Sequence, residues 1–177
     1  MKNHSRITSE KSTDNRPVKS LALLGMLLGL ALLCSYVETL IPFHFRIPGI
    51  KLGLANIVVV IAMYLIGPKE ALLITVARIF LSGLLFGNMF AVVYSLAGGL
   101  LSFLVMFLLK TKIKLHVISV SVAGGISHNL GQLIVAALVV ENISLLYYMS
   151  VLFFAGLLTG LLIGIVSREI LARLSVV

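Results

Sequence analysis

The chain has 177 residues, of which 60% are hydrophobic and 11% charged, and its mean hydropathy is +1.15; a water-soluble domain needs about 25% charged residues to cover its surface. That composition predicts an all-α integral membrane protein with no room for a soluble catalytic domain. The net charge of +8 is not read as a nucleic-acid surface, because the basic residues stand at the ends of apolar runs and are not interleaved with aromatic ones.

In chain order, residues 1–17 form a polar tail of mixed charge, expected to be disordered and cytoplasmic, and residues 18–177 form one transmembrane domain. A bilayer core about 30 Å thick requires roughly 17 to 25 apolar residues per helix. Six segments fit: Lys19 to Ile41, Leu52 to Gly67, Lys69 to Phe86, Met89 to Leu109, Leu115 to Val140 and Leu145 to Ser167. The first follows a basic tail, as a signal peptide's would, but it is longer than an h-region and lacks a small-residue cleavage site, so it reads as a retained helix. Within it, Gly25 and Gly29 make a GxxxG motif that lets another helix approach closely, from inside the bundle or from a partner. Cys34 is the only cysteine, which excludes an intrachain disulfide and a multi-cysteine metal site. Glu38 falls in the last turns of this span.

The loop "IPFHFRIPGIK", Ile41 to Lys51, carries aromatic residues, His44, Arg46 and Lys51, a composition suited either to a plain connection or to a lid over a flat anionic ligand. Asn56 opens the second span, and Gly67-Pro68 predicts a tight turn into the third. Arg78 stands midway along that third span and Asn88 at its far end. Gly98-Gly99 in the fourth span and Gly124-Gly125 in the fifth suggest close helix contacts. Then "GGISHNLGQL" places His128, Asn129 and Gln132 about halfway along the fifth span.

Orientation follows from the charges. With the amino terminus in the cytoplasm, the inner side collects Lys2, Arg6, Lys11, Arg16, Lys19, Lys69, Lys110, Lys112, Lys114, Arg168 and Arg173, against Arg46 and Lys51 outside. This positive-inside bias places both termini in the cytoplasm.

Polar groups within hydrocarbon need partners. Positions 128 and 132 are spaced i,i+4 and 129 and 132 i,i+3, so these side chains share a broad helix face. They either hydrogen-bond neighbouring helices or line a ligand cavity with Arg78. An unpaired arginine at mid-depth costs at least about 2.5 kcal/mol. Glu38 is the only acidic residue expected within the membrane, about two turns nearer the outer surface, so Arg78 is tied to Glu38 or backbone carbonyls, or else holds an anionic ligand. The candidate ligand-binding set is Arg78, His128, Asn129, Gln132, Asn56, Glu38, Asn88, Arg46 and Lys51. The sequence has no phosphate-binding loop and no aspartate-rich magnesium site of the kind prenyl diphosphate synthesis needs, since Asp14 is the only aspartate. No nucleophile has a base and an orienting group beside it. The expectation is a protein that is not an enzyme and has no intrinsic cofactor or metal.

The stretches "PGIKLGLANI", "ARIFLSGLLFGN", "SLAGGLLS" and "GGISHNLGQL" together resemble a bacterial family labelled both heptaprenyl diphosphate synthase component I and Gx transporter. That family is similar to the substrate-binding S components of energy-coupling-factor transporters. The resemblance implies six helices in the bacterial cytoplasmic membrane and a pocket near the outer face capped by the loop after the first helix. It also implies docking through small residues of that helix, here Gly25 and Gly29, onto a transmembrane T component that carries two ATPases. It points to a flavin as the transported ligand. The alternatives are a membrane component of heptaprenyl diphosphate synthesis and a proton-coupled secondary transporter using His128 and Glu38.

Overall fold

The computed structural model describes residues 16–40 and 53–174. The chain forms α1 (Arg16–Leu40), α2 (Leu54–Leu65), α3 (Pro68–Phe86), α4 (Met89–Leu108), α5 (Val117–Val139) and α6 (Met149–Arg173), and the described residues contain no strand. A π turn, Leu109–Ile113, ends α4, and a 3-10 turn, Ile143–Tyr148, leads into α6. Residues 1–15, most of the expected tail, lie outside the described residues, as does the loop with Arg46 and Lys51. Helix α1 begins at Arg16, three residues before the expected start of the first span.

Local chemistry sets the boundaries. Gly67 adopts φ 152°, a conformation that L side chains rarely take, and the N–H groups of Ile66 and Gly67 both donate to Ala62 O, closing α2. Pro68 then occupies the first turn of α3, where its missing N–H is no loss. Asn88 caps α4 by accepting from Ala91 N at 2.8 Å.

Successive helices run antiparallel. Ser121 of α5 meets Gly160 of α6 while Asn129 meets Leu152, and along the α4–α5 seam Gly98 faces His128 while Gly124 faces Met106. Helices α2, α3, α4, α5 and α6 each pack on the next and α6 returns to α2, closing a ring; α1 lies outside against α2 and α3. Glycines bring these backbones together. A Cβ at Gly160 would stand 2.8 Å from Ser121 O, and one at Gly131 2.7 Å from Ala97 O. Such contact without side-chain spacers is how helices associate in lipid, where apolar burial gives little drive.

The core is centred on α2, where Ala55 and Val58 through Met63 are buried. The β-branched run Val58-Val59-Val60-Ile61 is a mediocre helix former, so packing on every side is what holds it helical. Leu84, Leu138, Phe154 and Leu158 are exposed on the outside, a surface that suits lipid.

Among the described residues, four helical segments are long and apolar enough to cross a membrane: Ser20–Leu40, Met89–Ile113, Val117–Val139 and Ile143–Arg173. The six spans expected from the sequence are thus four by this measure. Helix α3 carries Lys69, Glu70 and Arg78, and α2 has 12 residues, or about 18 Å at ~1.5 Å per residue.

Candidate functional site

The shortness of α2 positions the polar residues. Helices α2 and α3 form a hairpin about the Gly67–Pro68 turn, so Asn56 and Arg78 both stand about 14 to 15 Å from that turn at ~1.5 Å per residue. Arg78 Nη2 accordingly donates to Asn56 Oδ1 at 3.4 Å. On the other flank, a Cβ at Gly53 would touch Ile163 Cδ1 at 3.2 Å, and Ile163 lies about 21 Å along α6 from Met149 at that same rise. Helix α2 therefore starts inside the bundle. Glu38 lies two residues from the end of α1 and near the far end of α3, where the Tyr36 and Phe86 ring centroids are 5.0 Å apart, whereas Asn56, expected near the outer surface, is level with Arg78. Counting residues along an assumed full-length second span hid this, because that count set the span to begin at the surface.

Glu38 supplies the cap for this interior helix end. Its Oε1 accepts from Gly53 N in a short hydrogen bond and from Leu54 N at 3.1 Å. A carboxylate suits this place, since the orphan N–H groups and the positive end of the helix dipole both favour negative charge. Gly53 takes φ 71°, so a residue with a Cβ would be strained there. Glu38 and Arg78 form no ion pair among the described residues. Arg78 is 9% exposed and its Nε is buried without a hydrogen-bond partner.

The remaining candidates divide between two helix seams. On α5, His128 and Gln132 border Gly98 of α4, where an added Cβ would stand 2.7 Å from Gln132 Cγ and 2.8 Å from His128 O. Gln132 is 2% exposed. Asn129 turns toward α6 and donates from Nδ2 to Leu152 O at 2.8 Å. Helix α4 presents Gly98 to α5 and Gly99 to Thr75 and Ile79 of α3, so Arg78 and the α5 residues belong to helices packed on opposite sides of this glycine pair. The structure unites Glu38, Asn56 and Arg78; Asn129 serves an interhelix tie and Asn88 a helix cap.

Lys110, taken from the sequence only as a topology charge, does more. Its Nζ donates to Met63 O in a short hydrogen bond and lies 4.3 Å from the centroid of the Tyr64 ring. The cation sits at the carboxyl end of α2, as Glu38 sits at its amino end, and both charges complement the helix dipole. A lysine directly after the long apolar run of α4 was the available signal.

Helix α1 buries Leu27, Ala31 and Ser35, spaced i,i+4,i+8 on one face. Gly25 and Gly29 lie off that face. A Cβ at either would have nothing within 4 Å, whereas every other described glycine has a neighbour in reach. Gly29 also lines a shallow groove of about 240 Å³ with Leu32, Leu33, Tyr36 and Phe86. The groove contains none of the polar candidates.

A family model described as heptaprenyl diphosphate synthase component I matches residues 27–170. No curated protein and no solved structure matches the chain.

Proposed function

The chain belongs to the heptaprenyl diphosphate synthase component I family, and from that premise we propose that it is the substrate-binding S component of an ATP-driven energy-coupling-factor-type transporter in the bacterial cytoplasmic membrane. It binds a small molecule, with a flavin as the leading class, and moves it across the membrane in a complex with a T component and two ATPases. Both termini are cytoplasmic, and the chain performs no catalysis itself, contacts membrane lipid and does not engage nucleic acid. Arg78, Asn56 and Glu38, with His128 and Gln132 on the next seam, supply polar contacts to the ligand, under the loop bearing Arg46 and Lys51.

The observation that carries this reading is the open glycine pair on α1. In the α4–α6 seams glycine is used for close helix approach, yet among the described residues no helix stands against Gly25 and Gly29. A GxxxG face left open in lipid supports docking of a helix from another chain. The test is purification of the tagged chain in mild detergent, with identification of co-eluting proteins and extraction of bound small molecules. Co-elution with a T component and ATPases is expected, and Gly29→Leu should remove them while leaving the melting temperature unchanged.

The family's description favours a second reading, a membrane component of heptaprenyl diphosphate synthesis. Co-elution of a soluble prenyl synthase without ATPases would establish it. Uptake driven by a pH gradient without ATP would favour instead a secondary transporter with Glu38 and His128 as proton sites.

A further inference from the structure

We propose that the first turn of α2, together with Arg78, is a binding site for a ligand oxyanion, a carboxylate or a phosphate, and that Glu38 occupies it as a displaceable internal stand-in. The inference rests on the reading of Arg78 and Asn56 as ligand contacts, and adds the ligand's chemical class and the group it must replace.

The present occupant defines the site. A single carboxylate oxygen, Glu38 Oε1, receives the N–H groups of both Gly53 and Leu54 at the start of a 12-residue helix. Two converging N–H groups at a helix amino end bind an oxyanion from any source. Arg78 is the independent second feature. It is nine-tenths buried and reaches the same helical turn through Asn56 Oδ1, at a long 3.4 Å, while its Nε is buried with no partner. Guanidinium N–H groups match paired oxygens in a bidentate fork, and an amide oxygen at 3.4 Å is a poor substitute. An incoming oxyanion can take the α2 N–H groups with one oxygen and Arg78 with another, whereas Glu38 serves only the first set.

Charge and position favour exchange. Replacing the Glu38 carboxylate by one external negative charge leaves the balance against Arg78 unchanged, so no additional buried charge is created. Glu38 is half-buried and lies in the last turn of α1, two residues before its end at Leu40. Its side chain has little helix beyond it to restrain a swing away from α2.

The full chain, purified in detergent, is titrated with inorganic phosphate and separately with acetate, with chloride at matched ionic strength as the control, and thermal unfolding is followed. Glu38→Gln keeps an acceptor oxygen for Gly53 and Leu54 but removes the competing charge. Its half-saturating concentration should fall about tenfold relative to wild type, the worth of roughly one charge-assisted hydrogen bond. Arg78→Gln should abolish the stabilisation, and should it fold poorly, Arg78→Lys keeps the charge without the fork and should weaken binding. A response to phosphate alone assigns a phosphate ligand, to acetate alone a carboxylate, and to both the shared oxyanion chemistry. No response to either anion in Glu38→Gln, or a wild-type response in both Arg78 variants, overturns the proposal. Because partner co-elution is read separately, failure here with ATPases still bound removes the exchange site and leaves the transporter reading standing.

Discussion

Asn129 donates to Leu152 O at 2.8 Å across the α5–α6 seam, and its Nδ2 lies where a Cβ on Gly156 would come within 3.0 Å. Interhelix hydrogen bonds of this kind contribute about 0.6 to 1.7 kcal/mol in membrane proteins. Asn129→Ala should therefore lower the detergent melting temperature of the ligand-free protein by about 2 to 4 °C per kcal/mol lost; an unchanged melting curve would show the tie to be dispensable. Lys110→Met keeps the aliphatic stem but removes the ammonium from Met63 O and the Tyr64 face. It should destabilise by about 1 to 2 kcal/mol, from the lost dipole and cation–π terms, read in the same assay. The sequence made the shared face of residues 128, 129 and 132 legible, because spacing alone fixes it. It did not reveal that α4 covers one edge of that face and α6 the other, so that adjacent residues serve different neighbours. For Arg78 the need for a partner was plain from the chain, but Asn56 as that partner was not, since their meeting depends on where α2 begins.

At the scale of elements, α2 shows why apolar windows mislead. Residues 52–67 read as a short span, and the helix occupies Leu54–Leu65, so existence and type were legible. Depth was not, because hydropathy registers how apolar a segment is and not where in the bilayer it starts. The glycines were legible as close-contact residues but not as to which contact each makes. Their environments now separate them into two classes with opposite expected responses. Gly160→Ala would place a Cβ 2.8 Å from both Ser121 O and Val122 Cα; backbone cannot yield easily, so α5 and α6 must part, and destabilisation of about 1 to 3 kcal/mol is expected. Gly25→Ala meets nothing within 4 Å and gains the helix preference of alanine over glycine, about 0.5 to 1 kcal/mol. Melting temperatures in detergent should thus fall for Gly160→Ala and hold or rise for Gly25→Ala. Equal losses in both would mean that α1 packs more tightly than its open face indicates.

Across the whole molecule, the antiparallel alternation of helices bears on the charge asymmetry read from the sequence. Lys110 contacts Met63 just ahead of the α2–α3 turn, so the end of the bundle with that turn also carries the connection after α4, with Lys112 and Lys114, and the final turn of α6, with Arg173. Arg46 and Lys51 belong to the segment that connects α1 to α2 in sequence. Moving a lysine or arginine through the bilayer centre carries a penalty of about 2.5 to 3.5 kcal/mol, so the lysine-rich end should stay in the cytoplasm. The test begins with Cys34→Ala, which removes the only native thiol. In that background Arg46→Cys should react with a membrane-impermeant maleimide added to intact cells, and Lys112→Cys should react only after the cells are opened. Labelling of the Lys112 position from outside would invert the molecule in the membrane. The oxyanion site would then load from the cytoplasm.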